Sequence, residues 1–166
     1  MTIELDAPAA RNSATDTSTG TAATNTVSIG RPQFQIAVAG DPLARTFPLV
    51  VRRETLRDAQ RARSLLRAGS HDPAKFVVAL EVEVAIAPQA ASARAAAEHA
   101  GRFAAIDSET VRYVGTVSGL TTLLRDIYAA EVADAVILTP IDGAATEQRI
   151  REQVLPVFEN ARYRVA

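Results

Sequence analysis

The chain has 166 residues, of which 48% are hydrophobic and 22% are charged, and its formal net charge is −1 at neutral pH. This balance fits one globular domain and gives no reason to expect nucleic acid or an acidic membrane surface as a partner. The absence of cysteine excludes disulfides, thiol catalysis and cysteine-ligated metal sites. No apolar run approaches the roughly 20 residues that span a bilayer, so we expect a cytoplasmic protein.

Residues 1–30 differ in composition from the rest of the chain, because they are rich in Ser, Thr and Ala and have few large apolar side chains. Such a segment buries too little surface to offset its ordering entropy, and we predict a disordered tail. The pattern changes at Arg31, and residues 31–166 are predicted to form the folded domain.

The first half of this domain is predicted to contain two strands and a helix. Residues 33–39 alternate apolar and polar side chains and end at a Gly-Asp-Pro turn, as in a strand that leads into a loop. Residues 48–52 are predicted to form a short second strand. Thr55, with an aspartate three positions later, is typical of a helix N-cap, and Gly69 is a stop signal for that helix.

The second half continues the alternation of strands and helices. Residues 76–87 are predicted to form the longest strand and residues 134–139 a further one. Helices are predicted at 88–103, 118–130 and 147–160. Strands separated by helices indicate βαβ units with right-handed crossovers. The sequence therefore predicts an α/β fold with about four mainly parallel strands and with the helices on one face of the sheet.

The longest strand has two unlike faces. One carries bulky apolar side chains, among them Val82 and Val84, and the other carries Glu81 and Glu83 between alanines. The bulky face is predicted to pack against helices, whereas a small and polar face is typical of a barrel lumen or an open surface. Four strands cannot close a barrel, so this second face must be wet, covered by a partner or collapsed onto itself. We therefore expect the isolated chain not to be a monomer.

Three motifs occur in an order that resembles a known family. Arg31–Gly40 is a proline-containing strand that ends in Ala-Gly, Gly115–Ser118 is a Gly-Thr helix entry, and Thr139–Gly143 follows the last predicted strand. Over roughly Arg31 to Arg164 the chain resembles the C-terminal half of the luciferase-like (bacterial luciferase-type) flavin-dependent oxidoreductases and monooxygenases. Enzymes of that family are TIM-type (β/α) barrels and are longer than this chain. The resemblance implies a partial, half-barrel fold.

The resemblance also implies a cofactor and its site. The cofactor is FMN or a deazaflavin, whose reduced form reacts with O₂ in the monooxygenases, and a flavin reductase is the implied redox partner. The cofactor phosphate is expected at loops that follow the strands. The residues expected to hold the cofactor are Ala39, Gly40, Asp41, Arg45, Thr139, Asp142 and Gly143.

Two features of the first loop are expected to weaken phosphate binding. Asp41 stands where the family has a serine and adds a negative charge, while Pro42 has no backbone N–H to donate. Arg45 is a candidate to compensate for that charge. No catalytic residue is assigned, because the family's first half supplies much of the flavin ring pocket.

Three functions remain open at this stage. The chain is a flavin enzyme that is completed by self-association or by a separate first-half subunit, a non-catalytic relative that acts as a binding or assembly module, or an unrelated small α/β binding domain. The sequence Ser70-His71-Asp72 is interpreted as a polar loop, because adjacent residues in a turn do not form a catalytic triad. The pair Glu81 and Glu83 is interpreted as an exposed or arginine-paired strand face, and no metal site is predicted.

Overall fold

A computed structural model of the protein describes residues 33–72, 75–101 and 109–162, with side chains described through residue 159. The predicted disordered tail lies outside the described residues, as does the predicted end of the helix near residue 103. No helix within these ranges is long and apolar enough to cross a membrane. The elements in chain order are β1 (Gln35–Val38), α1 (Pro42–Thr46), β2 (Leu49–Val51), α2 (Leu56–Ala68), β3 (Val78–Ile86), α3 (Ala90–His99), β4 (Val111–Gly115), α4 (Val117–Ala129), β5 (Ala135–Pro140), α5 (Ala144–Arg149), a π-helical turn (Ile150–Val154) and α6 (Leu155–Arg162).

The strands form one parallel sheet in the order β1-β5-β3-β2, with β4 also paired to β3. Since β5 occupies one edge of β3, strands β2 and β4 share the other: β2 lies beside Val78–Leu80 and β4 beside Val82–Ile86. The prediction of an α/β fold with a mainly parallel sheet is confirmed. The sheet of the described residues has five strands, because residues 111–115 form a strand that the sequence analysis assigned to none.

Two threonines start the long helices as their side chains predict. The Thr55 hydroxyl accepts a hydrogen bond from the Asp58 backbone N–H at 3.2 Å, and Gly69 follows the last turn of α2. The Thr116 hydroxyl accepts from the Gly119 N–H at 3.3 Å at the start of α4. Such caps satisfy backbone donors that have no partner inside the helix, so they set where each helix begins.

The first face of the sheet carries the main hydrophobic core. Val82 and Val84 are fully buried there against α2, α4 and the closing helices, whereas Glu81 and Glu83 lie on the opposite face. The predicted orientation of β3 is therefore confirmed. The buried members of this core are Ile36, Val38, Ala59, Leu80, Val82, Val84, Ile86, Val111, Leu120, Leu124, Ile127, Val132, Ala133, Val136, Leu138, Ile150 and Val154.

The second face of the sheet, opposite the main core, also carries a helix. The expectation that the helices all lie on one face is therefore wrong. The connection from β1 to β2 must pass β5 and β3, and its short helix α1 lies on this face. Phe47 is buried there, and Ala44 packs against the same cluster. The sheet side chains that Phe47 and Ala44 cover are Ala37, Ala79, Ala135 and Ile137. Because these side chains are mostly small, a single turn of helix and one aromatic ring are enough to cover them.

The closing helix is interrupted where a single helix was expected over 147–160. A π-helical turn separates α5 from α6, and within it the Leu155 N–H donates to the Ile150 carbonyl. Pro156 follows immediately. Proline cannot donate to the carbonyl four residues earlier and its ring clashes with that carbonyl, so a wider turn before it relieves the clash.

A buried ion cluster holds α2 to the amino end of β5. Asp134 is fully buried, and its Oδ1 accepts from Arg63 Nη2 at 2.8 Å and from Arg67 Nη1 at 3.2 Å. Its Oδ2 accepts from the Val78 backbone N–H at 3.2 Å. One carboxylate therefore joins α2, β3 and β5 at the amino-terminal ends of the strands, opposite the predicted cofactor loops.

Substituting Gly119 with alanine is expected to lower the free energy of unfolding by about 1–3 kcal/mol, as overpacking does. A Cβ at Gly119 would collide with the Tyr113 hydroxyl, which donates to the Thr116 carbonyl at 3.1 Å. Adding Tyr113→Phe should recover part of the loss, since it removes the colliding oxygen. Gly69→Ala is the control, because a Cβ there meets no atom closer than 3.8 Å. Urea unfolding curves in which Gly119→Ala matches the parent protein would contradict this packing.

Candidate functional site

The pairing of β1 with β5 brings two predicted loops together. Val38 lies in register with Leu138, and the Ala39 N–H donates to the Leu138 carbonyl at 2.9 Å. Since parallel strands end at the same edge of a sheet, the loop at 39–41 lies beside the loop at 141–143. The chain leaves β1 toward the second face through α1 and leaves β5 toward the first face through α5. In open α/β sheets, ligands bind between adjacent loops that diverge to opposite faces in this way. The space between residues 39–41 and 141–143 is called the crevice.

Both loops expose backbone at a glycine. Gly40 has φ +93° and Gly143 has φ +96°, which are conformations that L side chains rarely adopt. A Cβ at either position would have no atom within 4 Å. The space next to each backbone is therefore open, so a ligand can approach the main chain closely at both glycines.

Asp41 does not face the crevice as a free carboxylate, because it is paired with Arg151 from the π-helical turn. Arg151 Nη2 donates to Asp41 Oδ1 at 2.8 Å, and Nη1 donates to Oδ2 at 3.2 Å. Arg151 also donates to Glu147 Oε1 from Nε at 3.0 Å and from Nη2 at 2.8 Å. Its hydrogen bonds hold the pKa of the Asp41 carboxyl below its usual value. One guanidinium therefore serves two carboxylates, and the three side chains together carry a net negative charge.

The arginine that contacts this loop is thus Arg151 and not the predicted Arg45. Arg45 is exposed and makes no hydrogen bond or ion pair with any residue that the structure describes. Arg151 was missed because it is 110 positions from Asp41 in the chain. The sequence did contain a signal for Arg151, namely its i,i+4 spacing from Glu147, which predicts an ion pair on the helix that follows β5.

The start of α5, which carries Glu147 and leads to Arg151, is anchored to β3. The buried Thr146 hydroxyl accepts from the Ile86 N–H at 2.9 Å and donates to the Ile86 carbonyl at 3.2 Å. Arg149 Nη1 donates to the same carbonyl at 3.0 Å. These bonds satisfy the backbone at the carboxyl end of β3 and fix the position of α5 relative to that end of the sheet.

The other two polar residues predicted for this site have different surroundings. The Thr139 hydroxyl donates to Glu81 Oε1 at 3.1 Å, so it faces the second face of the sheet and not the loop. Asp142 lies in the loop, and its Oδ1 is buried without a hydrogen-bond partner among the described residues. An unpaired buried acceptor costs about 1–3 kcal/mol, and Asp142 does not recover that cost as a helix cap, because the N-cap position of α5 is Gly143.

The two glutamates of β3 form separate ion pairs, as the arginine-paired interpretation expects. Glu81 Oε2 accepts from Arg52 Nε at 2.6 Å, and Glu83 Oε2 accepts from Arg112 Nε at 2.8 Å. Each carboxylate thus has its own cation. Within residues 33–72, 75–101 and 109–162 no cluster of three or more His, Cys, Asp or Glu side chains could hold a metal ion.

Comparison with known proteins assigns no family to this chain. No protein-family model matches the sequence, and no curated protein matches it.

Proposed function

We propose that this chain is a luciferase-like flavin-dependent oxidoreductase module of the monooxygenase type, whose flavin pocket is completed by a second polypeptide. The observation that carries the proposal is the juxtaposition of the loops after β1 and β5, each with an open glycine backbone. At the first of these loops the N–H groups of Ala39 and Asp41 donate to backbone carbonyls and Pro42 has none, so the Gly40 N–H is the donor that a phosphate group would meet. The ligand would be FMN or a deazaflavin held by its phosphate at the edge of the sheet.

The proposal includes a relation to a barrel, although only part of the strand order follows that of a barrel. In a (β/α) barrel each strand pairs with its neighbours in the chain, whereas here β5 lies between β1 and β3. Strands β2 and β3 are neighbours in sequence and in space. The module would be a half-barrel whose remaining strands come from a second copy or from a first-half subunit, and a flavin reductase would supply the reduced cofactor.

A second candidate function is a non-catalytic binding or assembly module of the same lineage. The ion pair between Asp41 and Arg151 favours it, because a carboxylate occupies the loop where the family places a hydroxyl. A carboxylate about 5 Å from a phosphate charge repels it by about 3 kcal/mol at an effective dielectric near 20. Arg151 offsets part of this repulsion, but Glu147 competes for the same guanidinium.

The substitution Asp41→Ser separates the two candidates in a titration with oxidised and reduced FMN. If the crevice is the flavin site, the variant should bind FMN about tenfold more tightly than the parent, which corresponds to about 1.4 kcal/mol. Asp72→Ser is the matched control, because Asp72 is an exposed carboxylate that pairs with Lys75 at 3.4 Å in another loop. Absence of FMN binding by both Asp41 forms supports the non-catalytic module. Tight binding by the parent that the serine does not improve would show that the phosphate lies elsewhere.

A further inference from the structure

We propose that Arg151 is the oxyanion-binding residue of this crevice, that its ligand is a phosphate monoester, and that Asp41 is its intramolecular competitor. The inference rests on the proposed function for the place of the ligand, and it adds the residue that binds it and the contact that regulates it. Arg45, which the sequence suggested for this role, has no contact that directs it toward the loop.

The geometry of the ion pair identifies Arg151. Its two terminal nitrogens contact the two oxygens of Asp41 separately, at 2.8 and 3.2 Å. This is the parallel, two-point arrangement by which a guanidinium binds either a carboxylate or a phosphate. The carboxylate of Asp41 therefore marks a position, beside the open backbone of Gly40, where an oxyanion can be bound.

The guanidinium keeps this orientation without help from Asp41. Glu147 accepts two hydrogen bonds from it, at 3.0 Å from Nε and at 2.8 Å from Nη2, whereas Nη1 contacts Asp41 alone of these two carboxylates. Glu147 lies on α5, which Thr146 ties to the end of β3. The two terminal nitrogens of Arg151 should thus remain directed at the loop when Asp41 is replaced. The Arg151 side chain is 42% exposed and that of Asp41 28%, so a dissolved anion can reach the pair.

A tethered carboxylate is a strong competitor even when its intrinsic affinity is modest. Because Asp41 is attached to the same chain, its effective concentration at Arg151 reaches the millimolar range or above, as for a short linker. A free phosphate at lower concentration cannot displace it efficiently. The parent protein is therefore expected to bind simple phosphate weakly, and the loop stays joined to the π-helical turn until a ligand with further contacts replaces the carboxylate.

The test is calorimetric titration with inorganic phosphate at pH 8, where phosphate is largely dianionic. We compare the full chain with Asp41→Asn, with the double variant Asp41→Asn/Arg151→Gln, and with the control Asp72→Asn. Asp41→Asn should bind phosphate at least about tenfold more tightly than the parent, because the Arg151 guanidinium would no longer be paired with the Asp41 carboxylate. The double variant should return to the weak binding of the parent, and the control should not change.

Two results would overturn the inference: Asp41→Asn binds phosphate no better than the parent, or the double variant keeps the gain. Both positions are at least partly exposed, and circular dichroism verifies that each variant is folded. The outcome is separable from the proposed function, because inorganic phosphate has no flavin ring. Phosphate binding through Arg151 without FMN binding would contradict the flavin proposal alone. FMN binding that does not depend on Arg151 would contradict this inference alone.

Discussion

Replacing Asp134 with alanine is expected to lower the free energy of unfolding by about 3–5 kcal/mol, the loss that follows when one partner of a buried ion pair is removed. The Arg63 side chain is 5% exposed and that of Arg67 is 16% exposed, so neither can be fully rehydrated. Without the carboxylate both arginines would face a cavity at the junction of α2 and β5. The Val78 N–H would lose its side-chain acceptor as well.

The control for this experiment is Glu131→Ala, on the rim of the same cluster. Glu131 contacts Arg63 at 3.3 Å, but its side chain is 56% exposed. An exposed ion pair contributes about 0–1 kcal/mol, so this variant should unfold close to the parent. Equilibrium unfolding in urea, followed by far-ultraviolet circular dichroism, compares the two. An Asp134→Ala protein within about 1 kcal/mol of the parent would contradict the role of the cluster, since surface substitutions alone have effects of that size.

Placing a charge on the first face of β3 should lower the free energy of unfolding about as much as Asp134→Ala does. Val84→Asp is expected to cost about 4 kcal/mol or more, or to prevent folding, because the carboxylate would be buried without a partner. Val84 is 0% exposed in the core. The neighbouring change Glu83→Gln should cost less, about 1–3 kcal/mol, since it weakens a partly buried ion pair with Arg112 but retains a hydrogen-bonding side chain. Comparable losses for the two variants in thermal unfolding would mean that the orientation of the strand is wrong.

Local features of this fold were predictable because their physical causes are local. The side-chain alternation of β3 distinguishes its two faces at every position, and Thr55 caps α2 as a threonine followed by an aspartate should. Strand β4 was missed because five residues that include Arg112 and end at Gly115 present no clear alternation. The π-helical turn was missed because proline predicts an interruption but not the hydrogen-bond pattern that accommodates it.

Features that depend on distant pairings were not predictable. The neighbours of each strand follow from how the connections cross the sheet, and the pairing of β1 with β5 joins segments 100 positions apart, as with Gln35 and Ala135. That pairing is what brings the two glycine loops together. Of the residues predicted for the site, Arg45 lies in α1 and Thr139 in β5, and the contacts of neither could be predicted from the sequence. The partner of Asp41 lies on the closing helix, and only the folded sheet brings Arg151 to it.

A backbone-amide chemical-shift map tests whether ligand binds in the crevice between the loops after β1 and β5. FMN is added to the Asp41→Ser variant, and the shift of each assigned amide is followed. The largest shifts are expected at Gly40 and Gly143, and they should extend to Arg151 on the closing helix. Shifts confined to the opposite edge of the sheet around Asp134, or no shifts at any FMN concentration, would contradict it.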